Sequence, residues 1–502
     1  MIYTNVPSKL VLSKDKKKTF YFLTALGTEK NQVIDAYKKA MEMAKKNVLM
    51  NEHTKAWLEI WKKGYIDVRG DHNLAQITYA AQYYILSSLP SNDTSGDTDF
   101  VGLSPTGLAH GLTEDDYGGH IFWDQDIWMF PPVLMFRTDL AKVLMKTRTR
   151  TLDAARARAA MNGRKGAMYP WESAQTGMET TNAHWVALYE QHVTGDIAFA
   201  AQQYLYMSDD LDFFKNERGA EMLQNIAEFW IHRAALDKKL MKYIITGVMG
   251  PDEYHSPVDN SIYTNYIAAK SLEMAVDCLK RLGKESIKTE VYEIVKDNMY
   301  LPFDSKLQYH PEYDGYKQGT QVKQADVILL GFPLMMEMSK SVRFNDLVKY
   351  EAMWSEYSDG TGAVNFLTGM GGFLQSLTFG YGGFRIYKDR LEFHPQLPEG
   401  STNITLHNMD YRNSSFTVSF NETIMAITLT KEGDKELILS LKESGLDIPL
   451  PLGKTLHTSI ERSALFVNES FSPGCSSSSS LKSSSLTLLL LNFVFPFNVR
   501  IV

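Results

Sequence analysis

Cysteine is nearly absent from this chain of 502 residues: Cys278 and Cys475 are its only two, and they lie far apart. That excludes a disulfide framework and a cysteine-based zinc site, and it favours a reducing compartment. A basic excess is missing as well, since 52 lysines and arginines stand against 59 acids for a net charge of -7. With no lysine and arginine stripe interleaved with aromatics, nucleic acid is not expected as a partner. The N-terminus, MIYTNVPSKLVLSKDKKKTF, holds no apolar run long enough for a secretory leader, so the chain reads as cytoplasmic. N-x-S/T triplets such as those at Asn403 and Asn421 carry little weight without a secretory route. Long apolar runs are scarce. The one from Leu486 to Val502 is short for a membrane span, is broken by Asn492 and Pro496, and carries Arg500. No membrane partner is expected, and from about Ser470 the serine tract and its apolar end read as a low-complexity, disordered tail.

What is present is an ordinary globular composition, 44% hydrophobic and 22% charged, enough for one large domain with smaller attachments. Residues 1 to about 28 look extended, with β-prone runs at Lys9 to Leu12 and Phe20 to Leu26. From Asn31 the spacing turns helical: Val33, Ala36, Tyr37, Ala40 and Met43 fall on one face and Lys38, Lys39, Lys45 and Lys46 on the other. Further helices are predicted near His53 to Lys63, Asn73 to Ser88, Ala183 to Val193, Ile197 to Ser208, Gly219 to Leu236, Asn265 to Leu282 and Ser286 to Asn298. A long series of amphipathic helices must bury its stripes pairwise, which suggests a helical barrel or toroid; periodicity does not distinguish it from an open solenoid. After about Phe384 the period becomes two, in Ser415 to Phe420, Ile424 to Thr430 and Glu436 to Leu441, as in an antiparallel β-domain. The expected divisions are residues 1–28, 29–383, 384–460 and a tail at 461–502.

Five stretches carry chemistry. Gly247 to Asn265, GVMGPDEYHSPVDNSIYTN, sets Asp252 and Glu253 in a turn-rich loop, where Tyr254 would offer Glu253 the apolar contact that favours a neutral general acid. A helix cap or a solvated loop charge is the competing reading. His120 to Met129, HIFWDQDIWM, packs tryptophans with carboxylates, as sugar sites do, although Trp123 and Trp128 as core with Asp124 as a cap fits equally well. Asn162 to Thr181 repeats the ingredients, with Tyr169, Trp171 and Glu172 presented by the turn around Pro170. Val322 to Leu330, VKQADVILL, places Lys323 and Gln324 ahead of an apolar helical run, from whose N-terminus they would project. A second carboxylate, Glu356, stands in Trp354 to Gln375, WSEYSDGTGAVNFLTGMGGFLQ. Two carboxylates on separate loops with aromatics between them are the minimum equipment for glycoside hydrolysis.

In this order, GHIFWDQDIWMFP, GAMYPWESAQTGMET, GVMGPDEYH, VKQADVILLGFPL and GAVNFLTGMGGFLQ resemble glycoside hydrolase family 65, over about Asn51 to Phe384 and loosely to Leu452. The resemblance implies an (α/α)6 barrel followed by a small antiparallel β-sheet domain, with the family's N-terminal β-sandwich reduced to residues 1–28 and a helical hairpin's length missing between about Lys349 and Trp354. It implies an inverting α-glucosidase without metal or organic cofactor, acting on glucosyl-galactosyl-hydroxylysine of collagen or another glucose-containing disaccharide. By its motifs Glu253 resembles the general acid and Glu356 the general base. Trp123 and Asp124 resemble the pair holding the glucose ring, Lys323 and Gln324 the pair on its hydroxyls; Trp171 and Glu172 are further candidates for substrate binding. The family also holds trehalase-like and phosphorolytic enzymes, and a shortened member that only binds sugar is a further alternative. A carboxylate at the attacking position repels a phosphate dianion, so Glu356 favours hydrolysis.

Overall fold

Hydrophobic period separates the helical part of the molecule from its sheets, with differences at particular residues. The computed structural model describes residues 1–14, 16–27, 29–90, 101–107, 117–351, 366–468 and 500–501. Met1–Gly64 and Tyr65–Val502 form two units. In the first, β1 (Ile2–Tyr3) pairs antiparallel with β2 (Thr24–Ala25), followed by α1 (Lys30–Lys45) and α2 (Leu49–Lys63). The β-prone run Lys9 to Leu12 is not a strand: its residues are exposed and meet no partner edge.

The second unit opens with β3 (Tyr65–Arg69) and α3 (His72–Ser87), whose N-terminus is capped by Asp71 accepting from the Leu74 N–H at 3.0 Å. A π-helical turn, Gln125–Met129, runs directly into α4 (Phe130–Phe136), which carries Pro131 and Pro132 in its first turn. Then come α5 (Thr138–Arg150), α6 (Leu152–Met161), α7 (His184–Tyr189), α8 (His192–Ser208), α9 (Leu211–Asn216) and α10 (Gly219–Arg233). A short hairpin, β4 (Ala235–Asp237) with β5 (Lys242–Ile244), precedes α11 (Ile262–Arg281) and α12 (Ile287–Asp297). The helical region closes with α13 (Ile328–Gly331), α14 (Lys340–Glu351) and α15 (Leu367–Gln375).

Helix α8 is the hub, buried on every side and packed against α4, α5, α10 and α11; α11 in turn packs on α10 and α12. A helix apolar all round belongs inside a layer of others. Residues 183–193, expected as one helix, are two, because the backbone leaves the helical region at Glu190. Leu236 lies in β4, not in the helix expected to reach it.

The C-terminal part is a pair of antiparallel sheets. One runs β15 (Arg500–Ile501), β13 (Thr455–Ser459), β10 (Ile424–Lys431), β9 (Ser414–Phe420), β8 (Asn403–Tyr411), β3; the other runs β12 (Leu446–Pro449), β11 (Leu437–Leu441), β14 (Ser463–Val467), β7 (Leu391–Phe393), β6 (Arg385–Ile386). Thus β3 is the partner of β8, with Val68 opposite Ile404 and Ile66 opposite Leu406. Periodicity places the start of this domain only at Phe384, because the alternation Tyr-Ile-Asp-Val-Arg is too short to stand out between two helices. Likewise β14 lies beyond the boundary expected at residue 460, because it pairs with both β11 and β7. The sheet is docked on the helices by Thr138 N–H to Asp410 Oδ2 at 3.2 Å and Arg412 N–H to the Met207 carbonyl at 2.6 Å. Among the described residues no helix is long and apolar enough to cross a membrane.

Candidate active site

Two of the chemical motifs are stitched together by backbone. Ile121 N–H donates to the Ser173 carbonyl at 2.9 Å and Ser173 N–H returns the bond at 3.0 Å. This sets Phe122 edge-on to Trp171, ring centres 5.0 Å apart. Glu179 holds the turn from below, accepting from the N–H groups of Trp171 at 2.9 Å and Glu172 at 3.1 Å. Glu172 itself bonds His120 Nδ1 at 2.7 Å. Tyr169, expected to be presented by this turn, is instead fully buried, and its hydroxyl donates to the Arg148 carbonyl at 2.8 Å. The large ring found a core position with a polar partner for its tip.

Trp123 is buried, edge-on to His192 at 5.1 Å and to Tyr263 at 6.4 Å. Behind it His192 is clasped by Asp196 (Nδ1 to Oδ2, 2.7 Å) and Glu190 (Nε2 to Oε1, 3.2 Å), and Tyr263 donates to Asp196 at 2.8 Å. Burial opposes a charge on His192, but the two carboxylates outweigh it and push the imidazole up to about 10. Burial pushes Glu190 up to about 7. Glu190, His192 and Asp196 were not singled out from the sequence; their close spacing in EQHVTGD was the available signal.

Asp124 is not a helix cap; it sits at the entry to the π-helical turn with helical backbone angles. Its Oδ1 accepts from the Thr368 hydroxyl at 2.7 Å. Burial pushes Asp124 up to about 6, the Thr368 bond pulls the other way, and Glu253 adds like charge. That last effect places Glu253 and Asp124 in one electrostatic environment. Thr368 is the second residue of α15, which lies against the π-helical turn: Gln375 Nε2 donates to the carbonyls of Ile127 at 2.7 Å and Trp128 at 2.8 Å, and a Cβ on Gly371 would come within 2.5 Å of the Trp128 carbonyl oxygen. Only glycine permits that approach. Replacing Thr368 by Val should cost about 1–3 kcal/mol, the price of leaving a buried acceptor without its donor. Because that donor favours the ionised carboxyl, the deficit should be larger at pH 8 than at pH 5, on either side of the value near 6. Urea midpoints that fall equally at both pH values would contradict it.

The acid loop is fixed by the glycine-flanked turn itself. A Cβ on Gly250 would fall 2.5 Å from Asp326 Oδ2, so a larger residue there would have to displace that carboxyl. Val248 and Val258 exchange backbone bonds of 2.9 and 2.8 Å across its base, and Met249 N–H donates to the Tyr189 carbonyl at 2.9 Å. Ser261, not either acid, caps α11. Glu253 meets polar partners: Lys323 Nζ lies 2.8 Å from Oε2 and Gln324 Nε2 lies 3.2 Å from Oε1. The apolar contact expected from Tyr254 is absent, since that ring points outward, 58% exposed. Gln324 also donates to the Pro251 carbonyl at 2.6 Å. Lys323 and Gln324 do not project from a helix; the helix begins only at Ile328, and they lie in the irregular stretch before it. Asp252, His255 and Glu312 each bring one donor atom to within 4.8 Å of the others, the only such group of metal-ligand type among the described residues. Glu356 lies outside the described residues, as do Trp354 and Cys475.

The structure therefore ties the segment before Trp123 to that of Trp171 and Glu172 by strand-like pairing, joins Glu253, Lys323 and Gln324 by hydrogen bonds, and sets Asp124 within the electrostatic range of Glu253. A carboxyl group with a lysine and an amide on its two oxygens, in the electrostatic range of a second carboxyl that follows Trp123 in the chain, suits proton transfer to a polyhydroxylated ring. The pattern of the glycosyl hydrolase family 65 central catalytic domain matches residues 106–327, and that of the family's C-terminal domain matches residues 384–443. The chicken (Gallus gallus) protein-glucosylgalactosylhydroxylysine glucosidase is 37% identical, covering 91% of this chain and 71% of the relative. The zebrafish (Danio rerio) protein of the same name is 34% identical, covering 91% and 77%. A solved structure assigned as a kojibiose phosphorylase from human microbiome superposes with a TM-score of 0.70 at 19% identity, covering 91% of this chain and 73% of that one, and so shares the fold. On the extent of these matches, the chain belongs to glycosyl hydrolase family 65 and is a glycoside hydrolase.

Proposed function

We propose that this chain hydrolyses the α-linked glucose of glucosyl-galactosyl-hydroxylysine with inversion, Glu253 protonating the leaving oxygen and Glu356 activating the attacking water. The observation that carries the reading is Glu253 held between Lys323 and Gln324 in the electrostatic range of Asp124. The two vertebrate relatives described above supply the substrate. Trp123 and Asp124 hold the glucose ring; Lys323 and Gln324 turn their donors to its hydroxyls when sugar displaces them from Glu253; Trp171 and Glu172 line the acceptor side. An oxocarbenium-like transition state forms as the leaving oxygen takes its proton, and inversion needs the two carboxyls about 6.5–9.5 Å apart to admit one water. In this reading residues 29–383 supply linker helices and an (α/α)6 barrel, followed by a β-sheet domain that runs from residue 384 through β14, and the enzyme works in the cytoplasm without a cofactor.

Incubating the purified chain with glucosyl-galactosyl-hydroxylysine should release free glucose, initially the β-anomer by NMR, at a rate independent of added phosphate. Glucose 1-phosphate formed only with phosphate would make it a phosphorylase, and no product from a folded sample would refute the activity.

A further inference from the structure

Under the acid loop lie three buried carboxyl groups with no lysine or arginine paired to them among the described residues. Asp252 is 1%, Glu312 2% and Asp326 3% exposed. Asp252 is fully served by N–H donors: Oδ1 accepts from Lys323 N–H at 2.6 Å and Tyr254 N–H at 3.3 Å, and Oδ2 is 2.6 Å from His255 Nδ1. Asp326 Oδ2 accepts the N–H of Asp252 at 3.3 Å. Glu312 Oε2 and Asp326 Oδ1 are both buried with no donor, and it is a Glu312 oxygen that lies within 4.8 Å of Asp252 and His255. Two ionised carboxylates at that separation, away from water, repel strongly. One proton between them removes the repulsion and fills the orphan position. The proton belongs on Glu312, because three donors already stabilise the charge on Asp252.

We propose that Glu312 is a positioning residue for the proton donor: as a neutral acid it donates its O–H to Asp252 and so fixes the turn that presents Glu253. The role rests on the assignment of Glu253 given above. The segment around Glu312 is itself strapped to the end of the acid loop. Ile262 N–H donates to the Glu312 carbonyl at 2.9 Å, Asp314 N–H to the Asp259 carbonyl at 3.0 Å, and Asn260 Nδ2 to Asp314 Oδ2 at 2.7 Å. Tyr313 sets its ring against His255, centres 5.4 Å apart, closing a circuit from Glu312 through Asp252 and His255 back to its own neighbour. Asp252, Asp326 and His255 face Glu312 from the adjoining loops and Tyr313, Tyr316 and Tyr350 lie nearby, with no lysine or arginine paired to it among the described residues. Burial, with Asp326 and Asp252 beside it, pushes Glu312 up to about 11.

The test compares wild type, Glu312→Gln and Glu312→Leu in the full chain. An acid whose folded pKa is raised contributes stability that is complete below its unfolded value of 4.5 and is lost as pH rises towards the folded one. The glutamine does not titrate and keeps a donor for Asp252. Between about pH 5 and 8, Glu312→Gln should therefore gain on wild type by about tenfold in the folding equilibrium constant per pH unit, read by urea denaturation. Its kcat should stay within about threefold of wild type. Glu312→Leu, which lacks the donor, should lose kcat on the order of a hundredfold, far more than its glucose inhibition constant changes. A wild-type to Glu312→Gln gap that does not vary with pH overturns the proposal. So does a calcium or EDTA shift of the wild-type midpoint that Glu312→Gln abolishes, which would mean an ionised Glu312 on a cation, or a Glu312→Leu enzyme with wild-type kcat. The denaturation arm needs no substrate, so it decides the state of Glu312 even if the hydrolase reading fails.

Discussion

Replacing Glu253 by Gln is expected to lower kcat by about 10²–10⁴-fold, the contribution of a positioned general acid, while leaving the fold in place. The amide keeps the shape of the side chain and an oxygen for Lys323 or Gln324, but has no proton to give the leaving galactosyl oxygen. The lost contact is a modest one for stability: Lys323 is 44% exposed, and ion pairs in such a setting contribute about 0–1 kcal/mol. A drop in turnover therefore reads the chemistry and not unfolding, provided the urea midpoint stays near wild type. A second signature is specific to an acid. An aryl glucoside with a phenol leaving group of low pKa needs little protonation, so the variant should recover much of its rate on that substrate and little on the disaccharide. Equal loss on both would assign Glu253 to binding, and unchanged turnover would remove it from the reaction.

Much of the architecture was legible because period survives burial on one face. Strands β9, β10 and β11 start and stop within one residue of their sequence readings, and α11 and α12 within about three. The break at Glu190 was not legible, since it depends on a histidine two residues later drawing that carboxyl inward. Nor was β3, which is a strand only because β8, more than three hundred residues on, supplies its edge. At the site, motif residues could be named but not their neighbours. Thr368 reads as one polar residue in a glycine-rich run until α15 lies on the π-helical turn and its hydroxyl meets Asp124. Nothing in HPEYDGY singles out Glu312; only the packing of separate segments shows that it is buried beside Asp252. Lys323 and Gln324 were noticed for the wrong local reason, a helix N-terminus, when their placement comes from the Asp252 carboxylate accepting the Lys323 N–H.

The second large effect concerns stability, at Arg148. This guanidinium is 1% exposed; it bonds Asp126 through Nε at 3.3 Å and through Nη2, and Nη2 also lies 3.4 Å from the Phe122 carbonyl. Asp126 belongs to the same π-helical turn as Trp128 and follows Asp124 by two residues, so the pair supports the sugar-facing motif from inside the core. Burial already pushes the Asp126 carboxyl upward, against the pull of Arg148. Arg148→Met fills most of the volume and leaves that carboxyl with no counter-charge, for which a cost of about 3–5 kcal/mol is expected. The sign of the pH dependence follows from the same shift. An acid raised above its usual value of 3.8 loses its contribution as pH rises, and without Arg148 it is raised further, so the deficit of the variant should widen from pH 5 to pH 8. Adding Asp126→Asn should return a large part of the loss, because removing the charge removes the main cost of removing its partner. Urea unfolding of the two single variants and the double variant at both pH values measures this. A loss below about 1 kcal/mol, or no rescue by Asp126→Asn, would mean that the π-helical turn is held by Gln375 and the packing of α15 alone.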